Sequence, residues 1–315
     1  MSWANYAARR VLSSILILIG ASIVIFSILR LIPGDPAQIM LGTLAPPGSL
    51  EELRRELGLH LPIWQQYLRW IGNIVTGNLG ISFLSGEPVV TLLKQRFPAS
   101  LELAIAGMVI GVALMLPLGI LAAVNHNSKI DYSIIFFSQA GHSVPSFWLG
   151  IVLILIFGRF LNVLPPSGYV PIWVDPVENL KHILMPALTL GTINAAVLTR
   201  YLRSELLDEL GNDYITTARA FGHPPRRIIF KYVLKNGMIS TITVMGIQFG
   251  FMIGGLVIIE TVFAYPGMGL LVIDSLLNRN YPVIQISLLV LAATFILINL
   301  AVDLVYGWLD PRIKY

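Results

Sequence analysis

Between Leu103 and Val124 the chain reads LAIAGMVIGVALMLPLGILAAV, 22 residues without a Lys, Arg, Asp or Glu. About 20 apolar residues are what a helix needs to cross the hydrocarbon core of a bilayer. Five further charge-free stretches occur: Val11 to Leu29 (19 residues), Tyr132 to Gly158 (27), Ile183 to Thr199 (17), Asn236 to Ile259 (24) and Tyr281 to Val302 (22). None shows the strict apolar–polar alternation of a membrane β-strand. The six runs predict an all-α polytopic membrane protein with six transmembrane helices.

Composition excludes the competing classes. Charged residues make up 12% of the 315 residues, against roughly 25% in soluble domains. The 56% hydrophobic content excludes intrinsic disorder. With no cysteine, disulfides, Cys-ligated zinc, iron–sulfur clusters and cysteine nucleophiles are all ruled out. Arg9 and Arg10 before an apolar run suggest a signal peptide, and Gly20-Ala21-Ser22 has small-residue character. The run continues to Leu29, however, beyond the 7 to 15 residues or so of a signal h-region, so it reads as a retained first helix.

Lys and Arg in the short connections set the orientation. With the N-terminus inside, the cytoplasmic segments hold 12 basic residues, whereas the short outer ones hold only Arg159, Lys181 and Arg279. Both termini are therefore predicted to be cytoplasmic, in a multi-pass protein of the cytoplasmic membrane.

Two connections are too long to be turns. The first, from Arg30 to Pro98, reads as a small external helical domain. Ser49-Leu50-Glu51-Glu52 fits a capping box, and Gly58 ends that helix. Pro62 opens a second one with Ile63, Trp64, Tyr67, Leu68, Ile71 and Ile74 on one face, closed by Gly77. That face either packs on the rest of the external domain or docks an outside protein. The second connection, 200–235, carries seven basic and four acidic residues on the cytoplasmic side. Asp213 reads as an N-cap for a helix through Phe221, Gly222 as its C′ residue, and Pro224-Pro225 as the start of another helix through Lys235. A loop that only sets topology needs basic residues but not caps and a corner, so this one reads as a docking element. The chain divides into 1–99, the first helix with the external domain, and 100–315, a five-helix transmembrane domain holding the 200–235 loop.

No phosphate-binding G-x-x-x-x-G-K-[ST] and no H-E-x-x-H occurs, so neither ATP hydrolysis nor a metalloprotease site is expected. Asp303 lacks a second Asp in a facing charge-free run, which leaves an intramembrane enzyme without a catalytic pair; it reads as interfacial. His142, three residues before Pro145, reads as a packing residue. Glu260 precedes the glycine-rich stretch 261–269. A carboxylate at a span's edge is expensive unless it faces protein or water, so it is either held by backbone donors of that turn or placed on a translocation path. Gly246, Gly250 and Gly254 allow close helix approach, within the chain or against a partner subunit. Glu260, Gly250 and Gly254 form the set assigned to a path or gate.

The segment DYITTARAFG at 213–222 resembles the cytoplasmic EAA loop of binding-protein-dependent ABC importer permeases of the dipeptide/oligopeptide/nickel branch. LIPGDPA at 31–37, PSFWLG at 145–150, MPALTL at 185–190, FAYPGMG at 263–269, NYPVIQ at 280–285 and LDPR at 309–312 also resemble that branch. The likeness covers essentially the whole chain. Two departures occur. The loop's name-giving Glu-Ala-Ala aligns with Thr216-Thr217-Ala218, without the acid, and Ile-x-Leu-Pro aligns with 232–235, keeping only Leu234.

The resemblance implies the type I ABC importer permease fold and a set of partners: a homologous second permease, two ABC ATPases that hold the ATP and Mg, an external or periplasmic solute-binding protein, and membrane lipid. No cofactor is expected on this chain and no nucleic acid. The resemblance makes Thr217, Ala218, Arg219, Ala220, Phe221 and Gly222 the coupling loop to the ATPase. The expected cargo is di- or oligopeptides, glutathione-like ones included. The alternatives are nickel or a nickel chelate, and an ATP-independent carrier or channel.

Overall fold

The computed structural model describes residues 3–31, 37–38, 48–56 and 58–309. Most of LIPGDPA, Asp310 to Arg312 of LDPR, and Lys314 lie outside the described residues.

Helices α1 (Trp3–Leu31), α4 (Val89–Val124), α7 (Pro176–Leu210), α9 (Pro225–Val262) and α11 (Tyr281–Leu309) are each long and apolar enough to cross a bilayer. Each contains one of the charge-free runs and overshoots it. α4 has 36 residues, which at about 1.5 Å per residue exceeds a ~30 Å core, so its ends project. Aspartate starts α7 earlier than its apolar run suggests: Asp175 accepts from the backbone N–H groups of Val177 and Glu178, both at 3.0 Å, and Pro176 opens the helix.

The run from 132 to 158, expected as one helix, is two. α5 (Lys129–Ser143) and α6 (Ser146–Phe160) meet at a bend of 98°. Pro145 explains it. Its ring holds φ at −61° and crowds the preceding residue, so Val144 leaves the helix with ψ 126°. The bent pair makes a sixth crossing if it counts as one span.

α4 and α7 run parallel and form the centre of the bundle. Small residues allow the approach: a Cβ at Gly191 would stand 2.6 Å from Ile110 and 2.8 Å from the Gly107 carbonyl, and one at Gly119 would stand 2.8 Å from Leu202. One core cluster joins Leu103, Leu190, Met252 and Leu256 on α4, α7 and α9. A second joins Met115, Leu202, Leu206 and Val233 nearer the end that carries the 200–235 loop. α1 lies outside, against α11. Arg10 bridges Asp303 at 2.9 Å, so both helices have their terminal ends on the same side of the bundle.

Between α1 and α4 lie α2 (Ser49–Glu56), α3 (Ile63–Val75) and a turn closed by an Ile81–Pro88 bridge. The side chain of Ser49 lies outside the described residues; Glu52 N–H donates to the Gly48 carbonyl at 3.2 Å. The apolar face of α3 packs partly on its own domain, where Ile74, with Trp70 and Leu79, lies against the cluster that holds Val89 and Leu93. Tyr67 and Trp70 close on Phe26 of α1, with ring centroids at 5.5 and 5.6 Å, and the Tyr67 and Ser22 hydroxyls are 2.8 Å apart. Ile63, Trp64 and Leu68 remain exposed. The turn is fastened by Asn280, which accepts from Phe83 N–H at 3.1 Å and donates to Ser82 Oγ at 2.8 Å.

Candidate functional site

The 200–235 segment folds as a knuckle between α7 and α9. α8 (Asp213–Ala220) begins one residue earlier than expected: Asn212, not Asp213, holds the N-cap position, and Asp213 is the first helical residue. At its other end Gly222 takes φ +74°, the left-handed conformation that a Cβ disfavours. There, Gly222 N–H donates to the Arg219 carbonyl at 2.9 Å and His223 N–H to that of Ala218 at 3.2 Å, a full Schellman cap. The helix expected from Pro225 to Lys235 does not end there. It widens through a π-helical turn at Ile228–Val233 and continues as α9.

α8 has two faces. Ile215 and Ala218 are buried among Met115, Leu202, Leu206, Ile228 and Val233. Thr217, Arg219, Ala220, Phe221 and Gly222 face outward. Of the six residues assigned to coupling, Ala218 therefore seats the helix and the other five form its surface. Phe221 is 79% exposed, and Arg219, Arg226 and Arg227 are exposed around it. Behind the surface, Tyr214 donates to Glu209 and accepts from Asn236 Nδ2 at 3.0 Å. Burial, and then its bond to Glu209, raise the Tyr214 phenol above its ordinary value.

Sequence reasoning did not single out the pair that braces this end. Asp131, at the start of α5, is buried, and Arg203 of α7 reaches it with two bonds of 2.6 Å, Nε to Oδ1 and Nη2 to Oδ2. Asn127 N–H adds a third at 3.1 Å, and His126 Nδ1 stands 3.3 Å from the same Oδ2. Such a bidentate pair fixes orientation as well as position. Arg203 reads as an ordinary inside charge in the sequence; the only signal was Asp131 three residues after Ser128, whose hydroxyl caps α5.

At the opposite end Glu260 is wholly buried. Ser100 Oγ donates to its Oε1 at 2.5 Å, and Gly269 and Leu270 N–H donate to Oε2 at 2.7 and 3.0 Å. The Ser100 hydroxyl in turn accepts from Met268 N–H at 2.7 Å. A carboxylate at the first turn of α10 (Met268–Leu277) also complements that helix's dipole. Of the two readings of Glu260, this geometry matches the carboxylate held by its glycine-rich turn. Two residues along α4, Glu102 accepts from Tyr169 Oη at 2.9 Å and Asn179 Nδ2 at 2.6 Å. Burial, with Glu102 as acceptor, raises the Tyr169 phenol.

The glycines of α9 separate into two groups. A Cβ at Gly246 would overlap Val302, and one at Gly250 would come to 3.2 Å from Phe295, so both pack on α11. Gly254 has nothing within 4 Å, nor has Gly255. His142 is exposed at the end of α5. Among the described residues no group of three His, Asp or Glu could hold a metal ion.

Residues 115–315 match the family described as binding-protein-dependent transport system inner membrane component, and residues 4–104 match that family's N-terminal region. The chain is 39% identical to the dipeptide transport system permease protein DppB of Alkalihalophilus pseudofirmus, covering 98% of this chain and 99% of that protein. It is 39% identical to the Escherichia coli protein of the same name, covering 94% and 95%. To the oligopeptide transport system permease protein AppB of Bacillus subtilis it is 38% identical, covering 99% and 100%. Among solved structures it resembles one of the MetNI methionine ABC transporter in inward-facing conformations, with a TM-score of 0.59 at 19% identity over 70% of this chain and 96% of that one. An amino acid ABC transporter structure has a TM-score of 0.51 at 13% identity over 71% and 95%. These two likenesses establish the fold as that of ABC importer permeases.

Proposed function

The chain belongs to the family of binding-protein-dependent transport system inner membrane components, and from that premise we propose that it is a permease subunit of an ABC importer of di- and oligopeptides. The observation that carries this is end-to-end similarity to peptide permeases, at 38–39% identity over almost the full length of both partners. The relatives named above are peptide permeases, and no observation favours nickel as cargo. A second permease completes the pathway, two ATPases hold ATP and Mg, and a solute-binding protein delivers the peptide. With the basic residues inside, α8 and both termini face the cytoplasm. Residues 1–99 carry the first helix and the external domain, and 100–315 the transporting core.

In this reading Phe221 enters an apolar cleft of the ATPase while Arg219 meets an acidic group beside it. Ala218 and Ile215 transmit the motion by their seat against α4, α7 and α9. Closure of the ATPase pair on ATP then moves the knuckle as a rigid body and turns the pathway between its two faces. Glu260 acts as a clasp that holds the end of α9 on α4, not as a contact for cargo. Gly250 is part of the α9–α11 packing, and Gly254 belongs to a free face toward the pathway or the second permease.

Proteoliposomes holding this subunit with its partner permease, ATPases and binding protein test the proposal. Uptake of a labelled di- or tripeptide is expected to require ATP and to be lost in Arg219→Glu with Gly222→Trp. Unchanged uptake in that variant refutes the coupling assignment. Transport by the purified chain alone would place it among carriers or channels.

A further inference from the structure

The α1–α11 pair is fastened unequally at its two ends. At one end Arg10 has its carboxylate, Asp303 at 2.9 Å, and the Asp303 carbonyl accepts from Tyr6 Oη at 3.4 Å. At the other end Arg30 occupies the last turn of α1 over the Phe26 ring, 5.2 Å from its centroid, and has no acidic partner among the described residues. Its Nε is buried without a hydrogen-bond partner, and so is the hydroxyl of Tyr281, a residue only 8% exposed. Both side chains line the same partly enclosed cavity of about 110 Å³, with Leu29, Leu59, Phe83 and Gln285.

Two unpaired donors in one pocket are expensive. A half-buried guanidinium whose buried Nε has no partner, with no counter-charge among the described residues, and a buried hydroxyl without a partner each destabilise the fold unless something fills the site. The volume far exceeds the roughly 10–15 Å³ that one water needs. We propose that this pocket is a binding site for the phosphate of a phospholipid, with Arg30 donating to the phosphate oxygens, Tyr281 adding a hydroxyl donor, and the acyl chains lying along α1.

The setting selects lipid over other anions. The pocket is at the rim of the bundle, between α1 and α11, and away from the α4–α7 centre. Arg30 ends the charge-free run of α1, the depth at which the headgroups of the leaflet opposite α8 begin. Below it, on the same face of α1, Leu16, Ile19 and Ile23 present an exposed apolar track for acyl chains. A phosphodiester supplies the single negative charge and the acceptor oxygens that Arg30 and Tyr281 lack.

Native mass spectrometry of the full chain, stripped of lipid and then titrated, tests this. The probes are short-chain phosphatidylglycerol, the matching diacylglycerol without phosphate, and inorganic phosphate alone. Phosphatidylglycerol is expected to bind as one tight adduct and the other two not. Arg30→Gln should weaken it roughly tenfold and Tyr281→Phe, which keeps the ring and its packing, about threefold. Arg159→Gln, at an exposed arginine near the end of α6, should leave it unchanged. Diacylglycerol binding as well as phosphatidylglycerol would overturn the proposal, as would full binding in both pocket variants. Inorganic phosphate competing equally would make the pocket a free-anion site and overturn its assignment to lipid.

Discussion

Gly267→Ala tests whether the buried carboxylate of Glu260 is a structural clasp. Gly267 has φ −100°, which alanine adopts without strain, so the backbone offers no objection. The obstacle is the carboxylate itself. An added methyl would overlap Oε1 and Cδ of Glu260 and stand 2.5 Å from Oε2, the three nearest atoms all belonging to that one side chain. Glu260 would have to leave its seat and surrender the Ser100, Gly269 and Leu270 donors together. Hydrogen bonds to a charged group contribute about 1.5–3 kcal/mol each. Three would sum to roughly 5–9 kcal/mol if nothing relaxed, and partial relaxation brings the expected loss to about 3–5 kcal/mol. Glu260→Ala removes the same bonds and should lose a similar amount.

The two substitutions make one lesion, and their combination shows it. Once the carboxylate is gone the methyl has room, so Gly267→Ala with Glu260→Ala should be no less stable than Glu260→Ala alone, to within about 0.5 kcal/mol. Equilibrium unfolding of the four proteins in detergent micelles, followed by tryptophan fluorescence, measures the cycle. Additive losses would refute the clasp. So would a Gly267→Ala protein as stable as the parent, because the carboxylate would then have moved at no expense.

Three further outcomes follow from the geometry. Gly191→Ala should destabilise the bundle by about 2–4 kcal/mol, since its methyl meets both Ile110 and the Gly107 backbone, whereas Gly254→Ala, in open space, should unfold within about 0.5 kcal/mol of the parent in the same titration. Asp131→Asn should leave Arg203 without its buried counter-charge and lower stability by about 2–4 kcal/mol, and Arg203→Lys, which keeps the charge but cannot make the two parallel bonds, should itself be destabilising. Phe221→Ala should leave the unfolding transition in place and reduce ATP-stimulated uptake in the reconstituted importer, whereas Ala218→Glu should lower both, because one side chain is on the outer face of α8 and the other is in its seat.

Charge-free runs located the spans because hydrocarbon excludes ionised side chains whatever the tertiary structure, and local punctuation located α8 because a Schellman cap needs only Gly222 and its neighbours. What sequence could not reveal depends on distant partners. The bend at Val144-Pro145 was readable in principle, since proline constrains the residue before it. Proline inside a span is no sure break, however: Pro98 and Pro117 are both inside α4. The Asp131–Arg203 pair joins residues 72 positions apart. Glu260 kept two readings because Ser100, which helps to hold it, is 160 residues away. The α3 face was legible as apolar, but not the reach of Tyr67 and Trp70 to Phe26 in the membrane span.

These contacts divide the bundle into a stiff part and a pliant one. α4 and α7 touch through Gly107, Gly111, Gly119 and Gly191, and at Gly191 an added methyl would stand 2.8 Å from the Gly107 backbone carbonyl. Both anchors at the end opposite α8 land within one turn of α4: Ser100 takes Glu260 of α9, and Glu102 takes Asn179 of α7. At the other end α8 is seated on all three helices. α4, α7, α8 and α9 thus form a single close-packed block. α5 meets that block differently. Beside α5, a cavity of about 340 Å³ separates Phe137 and Ser138 from Leu114, Ala195 and Thr199, and the Thr199 hydroxyl is buried without a partner. Packed cores switch between arrangements at loose, incompletely satisfied contacts and not through close-packed seams. The proline bend and this cavity supply such a joint. Asp131 and Arg203 pin its end nearest α8, whereas beside the cavity, farther along the span, α5 is held less tightly.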